Sequence, residues 1–167
     1  ENLKFPLILK PIYWRWSKNV HIVNNINEYN WYFQLYWYDK EDVLIQEYIW
    51  WEEYTISVIV NNLNKVIWIV PKKVILKKWI TRVAISETND YLYNICSEIV
   101  EKLNPCGPFN VQLKLLNWKA YIFEINPRLS TTTVLTDKCF WNEIDLYIEN
   151  LNKININCTN ITSKSIF

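Results

Sequence analysis

Apolar residues recur along this chain at two spacings, and each change of spacing marks the passage from one kind of element to another. Phe5-Pro6-Leu7-Ile8-Leu9-Lys10 is a short apolar run stopped by Pro11, which predicts a buried strand. The polar stretch through Asn19 predicts a loop, and Val20 to Val23 a second strand. From Asn25 to Tyr38 the apolar positions Ile26, Tyr29, Phe33 and Tyr36 fall at roughly helical intervals behind asparagines that can cap a helix. Asp39 to Asp42 then turns the chain.

Val43 to Tyr48, Glu53 to Val60 and Lys65 to Ile75 are rich in Val, Ile and Tyr, with Asn61-Asn62-Leu63-Asn64 as a hairpin turn between the last two. A further strand fits Ile80 to Ile85. A helix capped by Thr88 runs through Leu103, carries Tyr91, Ile95, Ile99 and Val100 on one face, and is stopped by Asn104-Pro105-Cys106-Gly107-Pro108. Phe109 to Leu116 and Lys119 to Ile125 are strands around the turn Asn117-Trp118; Glu143 to Leu151 is a last helix, and the Asn-rich tail from Asn152 has no period. The order is α+β, built on antiparallel strands, without an internal repeat or linker.

Composition narrows the function classes. At 167 residues, half of them hydrophobic, the chain fits one domain or two small lobes sharing a cleft. Lys plus Arg number 18 against 17 acids, so the net charge of +1 argues for neither nucleic acid nor an anionic membrane as partner. No apolar run nears the roughly 18 residues of a membrane span, and Glu1-Asn2-Leu3-Lys4 lacks a signal-peptide layout, so a cytoplasmic protein is expected. Cys96, Cys106, Cys139 and Cys158 form no CxxC pair and read as reduced thiols.

Chemistry concentrates on two stretches, Asn110-Val111-Gln112 and Glu124-Ile125-Asn126-Pro127-Arg128. Strand side chains alternate faces, so Glu124 and Asn126 point the same way and Gln112, on the hairpin partner, can face them. One carboxylate with two amide oxygens is a hard, oxygen-only set suited to magnesium that keeps some waters. Arg128 adds fixed positive charge for an anion or a developing phosphoryl charge. From residue types alone another reading stays open, in which Asn126-Pro127 ends a strand and Glu124 is solvated.

Gly107-Pro108-Phe109-Asn110-Val111-Gln112, followed at the right interval by Phe123-Glu124-Ile125-Asn126-Pro127-Arg128-Leu129-Ser130, resembles the metal-binding core of ATP-grasp enzymes of the carbamoyl-phosphate-synthase type. The resemblance implies that Gln112, Glu124 and Asn126 hold Mg2+, with Mn2+ as an alternative, and that Arg128 meets the transferred phosphoryl group or the acylphosphate. Leu9-Lys10-Pro11 resembles the family's first lid strand, where Lys10 would touch the ATP phosphates. Gln46-Glu47-Tyr48-Ile49 resembles the hinge, with Glu47 near the adenine amino group and the Tyr48 and Ile49 backbone at the ring edge. Trp51-Glu52-Glu53-Tyr54-Thr55 resembles the segment whose Glu53 would bond the ribose hydroxyls; Ser17 in the lid loop and Lys73 are further candidates for the nucleotide. The implied fold is ATP-grasp, two lobes each with an antiparallel sheet and helices and the nucleotide in the cleft between them. Residues 1–151 would be that domain (lid lobe about 1–47, base lobe about 48–151), and 152–167 a tail opening a truncated continuation.

The departure from the family lies in its glycines. An average chain of this length has about 12; this one has only Gly107, beside 10 tryptophans. Trp14 and Trp16 stand in the loop where the family places glycines that let backbone N–H groups approach phosphate. Trp51, Trp79, Trp118 and Trp141 repeat the substitution, and Asn117-Trp118 is a turn that wants positive φ. Two readings follow. Either many of these tryptophans are glycines encoded by UGA and rendered under the wrong translation table, or this is a degenerate ATP-grasp domain with a blocked phosphate loop. Trp31 and Trp37 on the first helix read as core filling instead. His21, the only histidine, reads as structural. Asn157 and Asn160 head chance glycosylation sequons, and Thr131-Thr132-Thr133 either meets substrate or caps a helix.

The resemblance implies an ATP-dependent carboxylate–amine ligase that forms a C–N bond through an acylphosphate. Such chemistry rests on positioning and charge neutralisation and needs no Ser/His or Cys/His nucleophile. Small-molecule carboxylate and amine substrates, the missing N-terminal domain of the same protein and a homodimer are the partners it suggests. The isolated segment is expected to be inactive. The rival function is a non-catalytic binding module that uses its aromatic surface for carbohydrate or protein.

Overall fold

In the computed structural model, which describes residues 3–13, 18–78, 80–134 and 143–152, the strands form two antiparallel sheets. The smaller, ordered β2-β1-β3, contains β1 (Leu7–Pro11), β2 (His21–Val23) and β3 (Val43–Glu47). The larger, ordered β6-β5-β4-β7-β8, contains β4 (Glu52–Val60), β5 (Val66–Lys78), β6 (Ile80–Ser86), β7 (Gly107–Leu116) and β8 (Lys119–Asn126). Helices α1 (Ile26–Tyr36), α2 (Asp90–Leu103) and α3 (Glu143–Asn152) complete the α+β architecture expected from the sequence.

Local chemistry sets the boundaries. Asn25 caps α1, its side-chain oxygen accepting from the amides of Asn27 and Glu28, each at 3.0 Å. The Glu28 carboxylate reaches back to the Asn24 amide at 2.8 Å, so free donors at this helix start are satisfied from both sides. Asn89, rather than Thr88, caps α2, accepting from the Leu92 amide at 3.2 Å. Asn61 closes the β4–β5 hairpin by accepting from the amides of Leu63 and Lys65, both at 2.9 Å.

Each sheet has its own core. Leu7, Leu9 and Val43 meet Val23 and Tyr32 in the small one, with Tyr29, Phe33 and Tyr36 packed around them. His21 lies in this aromatic cluster, its Nε2 2.8 Å from the Tyr36 hydroxyl, which fits the structural role expected of it. In the large sheet one face, with Tyr54, Ile56, Val58, Val111 and Leu113, packs on Leu92, Cys96, Ile99 and Val100 of α2. Burial pushes the Cys96 thiol up to about 12, which keeps it an inert, neutral core group.

The tryptophans of the first helix do not fill the core. Trp31 is 53% exposed and Trp37 91%. Tyr32 takes the buried position instead, and Trp37 is the residue after the helix, at φ 54° in the left-handed region where glycine is favoured. Trp118 repeats that geometry at φ 61°, next to Asn117 at φ 49°. Both central residues of the β7–β8 hairpin turn thus have positive φ, the conformation that makes Asn-Gly the preferred pair. Trp14, Trp16, Trp79, Trp141 and the tail from 153 onward lie outside the described residues.

Candidate functional site

Strand register decides which of the sequence-predicted residues share a surface. Gln112 pairs directly with Glu124 and Asn110 with Asn126, so Gln112, Glu124 and Asn126 lie on one face of the large sheet. Thr55 pairs with Gln112, and Glu53 with Lys114, which extends the same face across β4. This is the face turned away from α2. Asn110 is buried and anchors it, donating its amide to the Thr55 hydroxyl at 2.8 Å and to the Ile56 carbonyl at 3.1 Å.

Gln112 and Asn126 are half-buried and Glu124 is exposed. The Asn126 side-chain nitrogen is buried and, among the described residues, without a hydrogen-bond partner. Rotating that amide about its last bond would present the oxygen there, leaving a donor set of one carboxylate and two amides free to face a hard cation. The set therefore fits magnesium in residue type and in register. No cluster of three or more His, Cys, Asp or Glu occurs among the described residues.

The small sheet brings Lys10 to this face. Its ammonium donates to Gln46 Oε1 at 2.8 Å and lies 4.9 Å from the centre of the Phe123 ring. Phe123 occupies a bulge, since Gln112 faces Glu124 while Leu113 already faces Ile122. Burial lowers the Lys10 pKa from its ordinary value, opposed by the negative charge of Glu124. Arg128 is exposed beyond the end of β8, its amide bonded to the Asn126 carbonyl at 2.8 Å and its guanidinium to the Leu129 carbonyl at 3.1 Å.

Glu53 sits at the centre of a charge cluster that the sequence reading missed. Its Oε1 accepts from Lys77, and its Oε2 lies 3.1 Å from the Lys114 ammonium. Burial alone would raise the Glu53 pKa, but the two lysines outweigh it and hold the carboxyl below the usual range. Lys114 also lies over the Tyr48 ring at 5.9 Å, and Lys77 over Phe123 at the same distance. Lys77 escaped notice because strict alternation along β5 would turn it toward α2. A register shift between Val74 and Leu76 reverses its face.

Lys73 is placed elsewhere. It pairs with Tyr54, on the α2 side, and forms an ion pair with Glu52. There it lines a cavity of about 410 Å³ with Trp51, Tyr54, Glu87 and Trp118. Its neighbour Lys72 pairs with Thr55 and so belongs to the face of Gln112. Lys72 is buried, donating to Ser57 Oγ at 2.8 Å and to Glu143 Oε1 at 2.7 Å. Glu143, also buried, accepts from the Thr133 hydroxyl at 2.9 Å. Ser130 bonds the hydroxyls of Thr132 at 2.8 Å and Thr55 at 3.4 Å. The segment after Arg128 is thereby fastened to the sheet by buried side chains.

After β3, the Tyr48 amide donates to the Pro6 carbonyl at 2.8 Å, and the Glu47 carboxylate accepts from the Lys4 amide at 2.9 Å. Ile49 lies in the short connection between β3 and β4. Ser17 lies outside the described residues.

This α+β architecture of two antiparallel sheets is that of the ATP-grasp fold. Solved structures of that fold superpose on the chain. N5-carboxyaminoimidazole synthetase from Staphylococcus aureus, complexed with ADP, has a TM-score of 0.75 at 17% identity, covering 92% of this chain and 43% of its own. D-alanine–D-alanine ligase from Bacillus anthracis, complexed with ATP, has 0.56 at 21%, covering 92% and 57%.

The chain belongs to the ATP-grasp family: residues 39–164 match the family model described as ATP-grasp in the biosynthetic pathway with Ter operon. The D-alanine–D-alanine ligase of Petrotoga mobilis is 31% identical over 141 residues, 74% of this chain and 46% of the relative. The chain thus spans about half the length of that curated relative. These matches establish the superfamily rather than one branch of it. No described helix is long and apolar enough to cross a membrane.

Proposed function

We propose that this chain is the nucleotide-binding and catalytic part of an ATP-dependent carboxylate–amine ligase that makes a C–N bond through an acylphosphate. The observation that carries the reading is the direct pairing of Gln112 with Glu124 on the face that also holds Asn126, with Lys10 brought in from the other sheet. In this reading residues 1–47 are the lid and 48–151 the base. Lys10 binds the ATP phosphates, Glu53 the ribose hydroxyls, and Glu47 with the Tyr48 and Ile49 backbone the adenine edge. Since the Tyr48 amide is already donated to Pro6, its backbone contact to the ring would run through the carbonyl. Gln112, Glu124 and Asn126 hold magnesium, which when bound neutralises phosphate charge. Arg128, exposed just past that set, contacts the transferred phosphoryl group or the acylphosphate. The named relatives support this reading, since each is a ligase or synthetase and two of the structures carry ADP or ATP.

Isothermal titration of the full natural chain with ATP tests it. Magnesium-dependent heat is expected from the unaltered chain. Glu124→Gln, which keeps the shape but removes the charge, should weaken that binding by about 10-fold or more while the denaturation midpoint stays put. Nucleotide binding that ignores both magnesium and Glu124→Gln would count against the ligase and for a non-catalytic module.

A further inference from the structure

Glu53 engages two lysines through two different oxygens, Lys77 through Oε1 and Lys114 through Oε2. The two cations differ in freedom. Lys114 is 16% exposed and is also bonded to the Trp51 carbonyl at 3.3 Å, whereas Lys77 is 38% exposed and projects from a bulged stretch of β5. Lys77 and Lys10 flank one ring, Phe123, at 5.9 and 4.9 Å from its centre, although they come from different sheets.

We propose that Lys77 is a phosphate-binding residue of the cleft, held by Glu53 in the present arrangement and transferred to the phosphates of a nucleoside di- or triphosphate when sugar hydroxyls engage that carboxylate. The inference rests on the nucleotide reading given above and adds a residue to it. A diol that donates to Glu53 competes with Lys77 for Oε1. The long lysine stem lets the displaced ammonium move without moving the backbone. Lys10 beside it supplies the second cation of a pair, and two ammonium groups on one side of a diphosphate neutralise charge that the net charge of +1 cannot. The bulge in β5 is the structural reason this lysine, and not Lys73, has the face of Glu53.

The test is titration of the full natural chain, Lys77→Met, Lys77→Arg and Lys73→Met with ATP, ADP and adenosine in magnesium buffer. Lys77→Met should weaken ATP and ADP by about 10- to 100-fold, the range of a lost charge-assisted hydrogen bond. Adenosine, which has the diol but no phosphate, should bind no more weakly than to the unaltered chain, since loss of Lys77 also removes its competition for Glu53, and so reports that the variant's cleft is folded. Lys77→Arg should retain most of the ATP affinity. Equal loss for adenosine and ATP, an unchanged ATP affinity in Lys77→Met, or a larger loss in Lys73→Met than in Lys77→Met would each overturn the assignment. If the unaltered chain binds neither ATP nor adenosine, the nucleotide reading falls first, and Lys77 with it.

Discussion

The two faces of the large sheet are built from the same strands and solve opposite problems. Along β4, Tyr54, Ile56 and Val58 turn to α2, while Glu53, Thr55 and Ser57 turn the other way. The first face is specified by volume and apolar area. The second is specified by partners: Asn110 with Thr55, Lys72 with Ser57 and Glu143, and Thr133 with Glu143 are matched donor to acceptor. Burying polar groups is tolerable only with such matching. The chemistry face thus has a buried half that fixes Ser130 to Thr133 and a second half, where Glu53 is ion-paired with Lys77 and Lys114, Gln112 is half-buried and the Glu124 carboxylate is exposed.

The largest loss is expected at the buried ion pair between Lys72 and Glu143. Lys72 is 2% exposed and Glu143 0%, so Lys72→Met leaves a carboxylate in the interior without its counter-charge. A loss of about 3–5 kcal/mol is expected in chemical denaturation. Lys72→Met combined with Glu143→Leu should recover most of it, because two apolar groups leave no charge uncompensated. On the α2 face, Leu113→Ala should cost about 3 kcal/mol, since Leu113 is fully buried among Tyr54, Ile56 and Val111. No second substitution that merely restores charge can rescue it. A pair-specific rescue on one face and none on the other is the signature to look for.

Much of this was legible in the chain. Alternation and turn residues predict the strands that appear, because β4, β7 and β8 keep period two over most of their length. Glu124 and Asn126 share a face by alternation alone, but Gln112 joins them only through the bulge at Phe123, since the short hairpin continued in register would pair Gln112 with Phe123 instead. What could not be read is whatever a bulge or a distant segment decides. Lys77 changes face at the Val74–Leu76 shift, and Lys73 loses the face of Glu53 through pairing with Tyr54. The Glu143 partner of Lys72 lies 71 residues away and leaves no local mark. Trp37 misled because helical spacing places it on α1, whereas the helix ends just before it.

The hairpin that sets the register of the chemistry face offers the next test. Asn117 and Trp118 both have positive φ, and Trp118 is 76% exposed, so its indole gains little packing to offset the backbone conformation. Glycine adopts that region freely. Trp118→Gly should therefore stabilise the fold by about 1 kcal/mol, and Trp37→Gly by a similar amount, read as a rise in the thermal midpoint. The mass of the peptide spanning residue 118 in the natural protein should correspond to glycine if this codon is misread as tryptophan. Destabilisation by Trp118→Gly, together with tryptophan found there, would favour the degenerate-domain reading instead.

The smallest expected effect belongs to the second half of the chemistry face, where Glu53 is 15% exposed and its partner Lys77 38%. Glu53 has a carboxyl pKa depressed below its ordinary 4.5 because Lys77 and Lys114 outweigh its burial. A group with a lowered folded pKa contributes stability above its unfolded value, and that contribution disappears as pH falls through the folded one. Acid denaturation should therefore include a Glu53 share lost below pH 4.5. Glu53→Gln should remove that share, costing about 0.5–1 kcal/mol near neutrality and nothing at the acid end. Stability of the two proteins measured against pH would then converge on acidification. Parallel curves would mean that Glu53 is held by shape rather than by its two lysines, and the contrast between a matched interior and a titratable cleft would lose its electrostatic basis.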